Sequence, residues 1–167
     1  MCIRTLLQRP AFKIDESNPG SDLAGETAAA LAAGYLVFKE TDKAFAELCL
    51  SHARDMFQFA VEYPGKYSDA IPGVSDFYKS WSGYEDEIVW AATWLYRATG
   101  SEEYKTKVSE GYSGNLQSMF SWDNKIAGYQ VHMAQITGEE PYLSHAQTYA
   151  DFMTKSATKT PKGKNNS

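Results

Sequence analysis

Between Thr27 and Tyr35 the chain reads Thr-Ala-Ala-Ala-Leu-Ala-Ala-Gly-Tyr, small and apolar on nearly every face of a helix. A surface helix keeps one polar side, so a segment of this kind needs neighbours all round it, and other helices supply them. Pro19-Gly20-Ser21-Asp22 lies just upstream, where Ser21 or Asp22 can cap a helix from Leu23 to about Lys39. This predicts an inner helix. The next segment, from about Asp42 to Tyr63, spaces Phe45, Leu48, Cys49, His52, Met56 and Phe59 by threes and fours. That is the period of a single buried stripe and predicts an outer, amphipathic helix, with Cys49 a small core residue.

Pro64 to Ser80 holds Pro64-Gly65, Ser68-Asp69 and Pro72-Gly73, which predicts a long ordered loop, and loops of that length tend to carry function. Helix resumes from about Tyr84 to Thr99 and stops at Gly100. Ser101 is expected to cap the following helix, with Glu102 and Glu103 in its first turn. A loop from Gly114 to Asp123 leads to two more helices, about Lys125 to Thr137 and Pro141 to Lys155, hinged at Gly138. The hinges repeat weakly: Thr41-Asp42 precedes Phe45, Thr99-Gly100 precedes Tyr104, and Thr137-Gly138 precedes Tyr142. About three hairpins, each pairing a small apolar helix with an amphipathic one, stack naturally into an all-α toroid of inner and outer rings.

The 16 basic and 21 acidic residues include no basic tract, which argues against nucleic acid and anionic membrane as partners. The 11 Tyr and 4 Trp exceed what a helical core usually needs, and such rings are natural platforms for the apolar faces of sugars. Cys2 and Cys49 make no disulfide framework, and no Cys or His cluster has zinc spacing. His52, His132 and His145 are read as packing or surface residues. Met1 to Gln8 contains Arg4 and lacks the apolar stretch of a signal peptide, and nowhere do about 18 apolar residues run together.

Three stretches carry a resemblance: Gly20-Ser-Asp-Leu-Ala-Gly-Glu-Thr-Ala-Ala-Ala-Leu-Ala-Ala33, then Gly65-Lys-Tyr-Ser-Asp69, then the run from Phe77 through Tyr78, Trp81, Ser82, Gly83, Asp86 and Glu87 to Gly100. With Ser121-Trp-Asp-Asn-Lys125 and Thr160-Pro-Lys-Gly163 they resemble the central part of family nine glycoside hydrolases over roughly positions 9 to 163. The resemblance implies an (α/α)₆ barrel of the six-hairpin glycosidase type, of which this chain supplies about half. It divides the sequence into a flank at 1–8 unlike the family, a partial barrel at 9–155, and a polar, Lys-rich tail at 156–167 that is expected to be disordered.

The activity implied is that of an inverting endo-β-1,4-glucanase, or cellulase, acting on β-1,4-glucan and secreted in its parent form. Inversion requires a carboxylate base and a carboxylic acid about 6.5–9.5 Å apart. In the family these lie in an Asp-Ala-Gly-Asp motif and in a Glu near the domain's end, and no stretch of this chain matches either. Asp22-Leu-Ala-Gly-Glu26 resembles the first only faintly and aligns with another segment, so the chain is expected to be an inactive fragment with no catalytic residue. By the same resemblance Tyr78 and Trp81 match substrate-stacking positions, with core packing as the plainer alternative. Ser82, Gly83, Asp86, Glu87 and Asp123 match a structural calcium site. That donor set is all oxygen, as calcium prefers, although Asp86 and Glu87 also suit the first turn of a helix. The rival reading of the whole chain is a non-catalytic helical repeat module that binds a glycan or protein partner.

Overall fold

The computed structural model describes residues 11–117 and 119–156, which carry seven α-helices and no strand. The flank at 1–8 and all of the tail beyond Ser156 lie outside the described residues. Helices α1 (Ser21–Phe38) and α2 (Lys43–Glu62) form the first hairpin. The short α3 (Tyr67–Ala70) follows. Helices α4 (Glu85–Thr99) and α5 (Glu102–Gly111) form the second hairpin, and α6 (Ile126–Thr137) and α7 (Tyr142–Asp151) the third, continued by a π-helical turn at Phe152–Ser156. α1, α4 and α6 lie side by side in that order, with α2, α5 and α7 behind them, so the hairpins follow an arc. Among the described residues no helix is long and apolar enough to cross a membrane.

The hinges explain why the repeat is visible in the sequence. Thr99 Oγ1 donates to Leu95 O at 2.7 Å and accepts from Ser101 N at 3.2 Å, and Thr137 Oγ1 does the same with Met133 O at 2.9 Å and Glu139 N at 3.2 Å. Between them Gly100 and Gly138 take φ of 68° and 67°, a left-handed conformation that a side chain would strain. Threonine therefore closes both helices, and Ser101, expected to cap α5, makes no side-chain cap. The first hinge differs: the Asp42 carboxylate accepts from Phe45 N at 3.0 Å and caps α2 directly. Correspondingly, Tyr104 and Tyr142 are buried after the two glycine hinges, whereas Phe45 is exposed.

The buried face of α2 departs from the expected stripe. It is Ala46, Cys49, Leu50, Ala53, Phe57 and Ala60, whereas Phe45, Leu48 and His52 face outward and Met56 and Phe59 are half-buried. The cause lies in α1, whose buried residues Ala24, Gly25, Ala28, Ala29 and Ala32 are all small. A helix this thin lets its partner approach closely, and close approach favours the alanine row of α2 over its bulky neighbours. Phe57 then reaches past α1 to stack edge-on against Tyr104 of α5, with ring centroids 5.5 Å apart.

The loop from Pro64 to Ser80 is ordered, as expected, and holds α3 and a 3₁₀ turn at Val74–Asp76. His132 is buried between Trp90 and Trp94. Arg97 Nη1 donates to its Nε2 at 2.7 Å, which leaves the proton on Nδ1, and burial together with Arg97 pushes its pKa down to about 4. His145 bonds the Tyr112 hydroxyl at 2.6 Å and stacks on that ring, while His52 is exposed.

At Gly25 one helix comes against the backbone of another: an added Cβ would lie 2.8 Å from Glu87 O and 2.9 Å from the carbonyl carbon of the same residue in α4. Backbone on both sides cannot yield as a side chain can. Gly25→Ala is expected to lower stability by roughly 1–3 kcal/mol through overpacking, even though alanine favours helix by about 1 kcal/mol. Denaturant midpoints check this, and an unchanged or raised midpoint would show that α1 and α4 have room to part.

Candidate functional site

The first turn of α1 organises the loop that follows α2. Neither Ser21 nor Asp22, the two expected caps, caps the helix: it begins at Ser21 itself, no side chain caps it, and the Ser21 side chain turns to the loop. Ser21 N donates to Gly65 O at 2.7 Å, and Ser21 Oγ donates to Tyr63 O at 3.2 Å and accepts from Gly65 N at 3.1 Å. The Asp22 carboxylate accepts from Tyr67 N at 3.0 Å and from Leu23 N at 2.9 Å. Tyr67 in turn donates from its hydroxyl to Tyr78 O at 2.5 Å. Ser68 Oγ accepts from Ser80 N at 3.2 Å, so both strands of the loop are tied to each other and to α1.

The second loop, Tyr112 to Asn124, is stitched to the first by two carboxylates. Asp123 Oδ1 accepts from Trp81 N at 2.7 Å, and Asp123 O accepts from the Ser82 hydroxyl. Asp86 Oδ2 accepts from Lys125 N at 2.7 Å, and Asp86 Oδ1 lies 3.3 Å from Ser82 Oγ. Ser82 is therefore in contact with both Asp86 and Asp123, although 41 residues separate Ser82 from Asp123. Gly83 sits beside them, with its carbonyl accepting from Ser80 Oγ at 2.5 Å. Glu87 lies deeper, 2% exposed, and its Oε2 has no hydrogen-bond partner among the described residues.

Buried acids crowd here. Desolvation raises the pKa of Asp22 and of Asp86. Glu87 is pushed up to about 10, by burial first and then by the Asp86 carboxylate, with Asp22 adding to the effect, so at neutral pH it holds a proton. Among the described residues the one basic residue lining this cavity is Lys125, whose burial pushes its ammonium down to about 8. Its Nζ lies 2.5 Å from Glu26 Oε1 and donates to Ser121 O and Trp122 O. Among the described residues no three Asp, Glu, His or Cys side chains converge closely enough to hold a metal ion as they stand.

Above these groups opens a cavity of about 260 Å³ lined by Asp22, Glu26, Tyr67, Trp122 and Asp123. Trp122 stands edge-on to Tyr78, with ring centroids 5.9 Å apart. Tyr78, Trp81 and Trp122 are 63%, 75% and 53% exposed, so none is a core residue. Lys79 Nζ lies 4.8 Å over the Trp81 ring. Trp122 and Lys125 were within reach of sequence reading, since both stand in Ser121-Trp-Asp-Asn-Lys125. Capping aside, Asp22 and Glu26 stand out in the sequence only as the ends of a stretch faintly like the family's base motif, and Tyr67 only within Gly65-Lys-Tyr-Ser-Asp69, none with a site role.

The model for glycosyl hydrolase family 9 matches residues 3–166, further towards both ends than the motifs alone extend. Endoglucanase 15 of Arabidopsis thaliana is 49% identical over 132 residues, which is 78% of this chain and 27% of that protein. Endoglucanase A of Bacillus pumilus is 42% identical over 153 residues, 89% of this chain and 23% of that protein. The structure of an endoglucanase from the termite Nasutitermes takasagoensis superposes with a TM-score of 0.86 at 46% identity, covering 91% of this chain and 36% of that one. Endoglucanase CelQ of Clostridium thermocellum, solved in complex with cellotetraose, superposes at 0.68 with 32% identity, covering 88% of this chain and 24% of that one. The hairpin arc is thus part of the (α/α)₆ barrel, and the chain spans well under half the length of the relatives it matches.

Glu87 binds its proton more tightly folded than unfolded. Its contribution to stability is therefore complete below pH 4.5 and is lost as pH rises towards 10. With a chelator present, stability is expected to fall between pH 6 and 9 by up to about 1.4 kcal/mol per unit, and Glu87→Gln is expected to flatten that slope. Parallel slopes in urea titrations of the two proteins would show that Glu87 is not the buried protonated group.

Proposed function

Because the chain belongs to glycosyl hydrolase family 9, we propose that it forms one wall of the glucan cleft of an inverting endo-β-1,4-glucanase that acts on cellulose-type polysaccharide and is secreted. The observation that carries this reading is the exposed Tyr78–Trp122 ring pair, of which Trp122 lines the acid-lined cavity, with the exposed Trp81 on a loop tied to the cavity's Asp123. Aromatic faces hold the apolar faces of glucose units by dispersion, and the polar floor suits their hydroxyls. Substrate rings laid along Tyr78 and Trp122 would run across the ends of α1 and α4.

The chain itself binds glucan without cutting it. An inverting hydrolase needs a base that activates water and an acid that protonates the leaving oxygen, each typically contributing 10²–10⁴-fold. The site carboxylates are otherwise engaged: Asp22 holds Tyr67 N, Asp86 holds Lys125 N, Asp123 holds Trp81 N and Glu26 faces Lys125. Glu87 lines the same cavity but is 2% exposed and holds a proton at neutral pH, so it cannot serve as the base. The base and acid would come from outside these 167 residues. Cellotetraose is expected to bind the pure chain and to bind about tenfold more weakly after Trp81→Ala or Trp122→Ala, the loss of roughly one stacking contact of about 1.4 kcal/mol. Carboxymethylcellulose is expected to release no reducing ends. Cleavage above a mock preparation would overturn the inactive reading, and undiminished binding by both variants would overturn the ring platform.

Calcium is proposed as a structural cation held by the carbonyl oxygens of Ser82 and Gly83 with Asp86, Glu87 and Asp123. The partnerless Glu87 Oε2 and the raised pKa values of Asp86 and Glu87 support it, since a divalent cation would relieve both. Bound, it would supply positive charge that ties the Trp81 loop to the Asp123 segment. Calcium at a hundredfold excess over its Kd is expected to raise stability by about 2.7 kcal/mol, magnesium to do less, and Asp123→Ala to abolish the difference. An unchanged melting temperature on chelation would remove the site.

A further inference from the structure

Asp22 and Glu26 stand one turn apart on α1, and each leads to a different half of the Tyr78–Trp122 pair. The Asp22 path runs through Tyr67 to the carbonyl of Tyr78. The Glu26 path runs through the Lys125 ammonium, which lies 2.5 Å from Glu26 Oε1 and donates to Ser121 O at 2.6 Å and Trp122 O at 2.7 Å. Two of the three ammonium N–H groups donate to these carbonyls, and Glu26 Oε1 meets the ammonium as an ion pair without hydrogen-bond geometry. The Lys125 side chain is 4% exposed, so this set of partners is what makes its burial tolerable.

A simple capping role does not account for the arrangement. Lys125 precedes α6, and a lysine there could satisfy nearby carbonyls from the surface. Instead it points inward across the cavity to a carboxylate on another hairpin. Trp122, meanwhile, is half exposed, and its one close ring neighbour among the described residues is Tyr78. Side-chain packing alone fixes such a ring poorly, so its direction follows from the main chain that carries it. That main chain is held by Lys125 Nζ at residues 121 and 122 and by the Asp86 carboxylate at Lys125 N.

We propose that Glu26 and Lys125 are positioning residues for glucan binding: the Glu26 carboxylate anchors the Lys125 ammonium, and the ammonium holds the Ser121–Trp122 backbone so that the Trp122 ring stands at the angle a sugar needs. This rests on the ring-platform reading above. It adds that the platform is set from α1, an element that contributes no ring to it. A stacking site must be held within about 0.5 Å and 10–20° of its productive geometry, and a backbone clamp supplies that where packing does not.

The test uses the chain labelled with [¹⁵N]tryptophan, its Trp122 indole signal assigned by disappearance in Trp122→Phe. Lys125→Met and Glu26→Met keep side-chain length and remove the clamp from either end. Both are expected to shift the Trp122 indole signal and lower its heteronuclear NOE, while the Trp90 and Trp94 signals stay in place, and both are expected to weaken cellotetraose binding about tenfold. A Trp122 signal unmoved in Glu26→Met overturns the proposal, as does full cellotetraose affinity with a displaced ring. If Lys125→Met collapses all four indole signals, Glu26→Met decides, since the Glu26 side chain is 39% exposed and tolerates the exchange. If the wild-type chain binds no cellotetraose, the ring platform falls, and the indole signals alone settle whether Glu26 and Lys125 orient Trp122.

Discussion

At Gly25 the backbone of α1 comes against the backbone of Glu87 in α4, and the site takes its dimensions from that contact. It brings the first turns of two helices together. Asp22 and Glu26 from one, and Asp86 and Glu87 from the other, then share a single buried region. A larger residue at position 25 would hold the helices apart and let water between these carboxyls. The row of alanines along α1 serves the same end, since it lets α2 and α4 close on either side.

Bringing acids together has an electrostatic cost, and the structure meets it in two ways. Glu87 takes up a proton and becomes neutral, as burial and the Asp86 charge dictate. Lys125 brings one positive charge, held by Glu26 and two carbonyls. Asp22, Asp86 and Asp123 spend their charges on backbone N–H groups of Tyr67, Lys125 and Trp81. Hydrogen bonds to charged groups contribute about 1.5–3 kcal/mol each, roughly twice an ordinary one, which is why carboxylates rather than amides hold the loops. The loops so held carry the exposed rings, so the acidic floor and the aromatic rim are parts of one construction.

The helices and their order were legible from residue pattern. Gly100 and Gly138 ended helices where they were expected to, because a left-handed residue leaves few alternatives to glycine. The buried face of α2 was misread, because periodicity reports that a stripe exists and bulk suggests which residues form it. Here the thin α1 reversed that preference, and alanine went inward while Phe45 and Leu48 went out. The same kind of error affected Ser21 and Ser101: both look like caps locally, yet Ser21 bonds the distant Gly65, and Ser101 makes no side-chain cap on α5 while its N–H donates to Thr99.

The sequence by itself determined the all-α class, the three hairpins, the position of the long loop and the presence of Tyr78, Trp81 and five oxygen-bearing residues in recognisable words. These are local properties, set by turn chemistry, periodicity and motif. Only the tertiary structure decided that Glu26 faces Lys125, that Tyr67 carries Asp22 to Tyr78, and that Trp122 completes the group of rings. Each of those contacts joins residues far apart in the chain. Their meeting depends on how closely α1 lies against α4, a distance set by the missing side chain of one glycine, and no pattern along the chain records it.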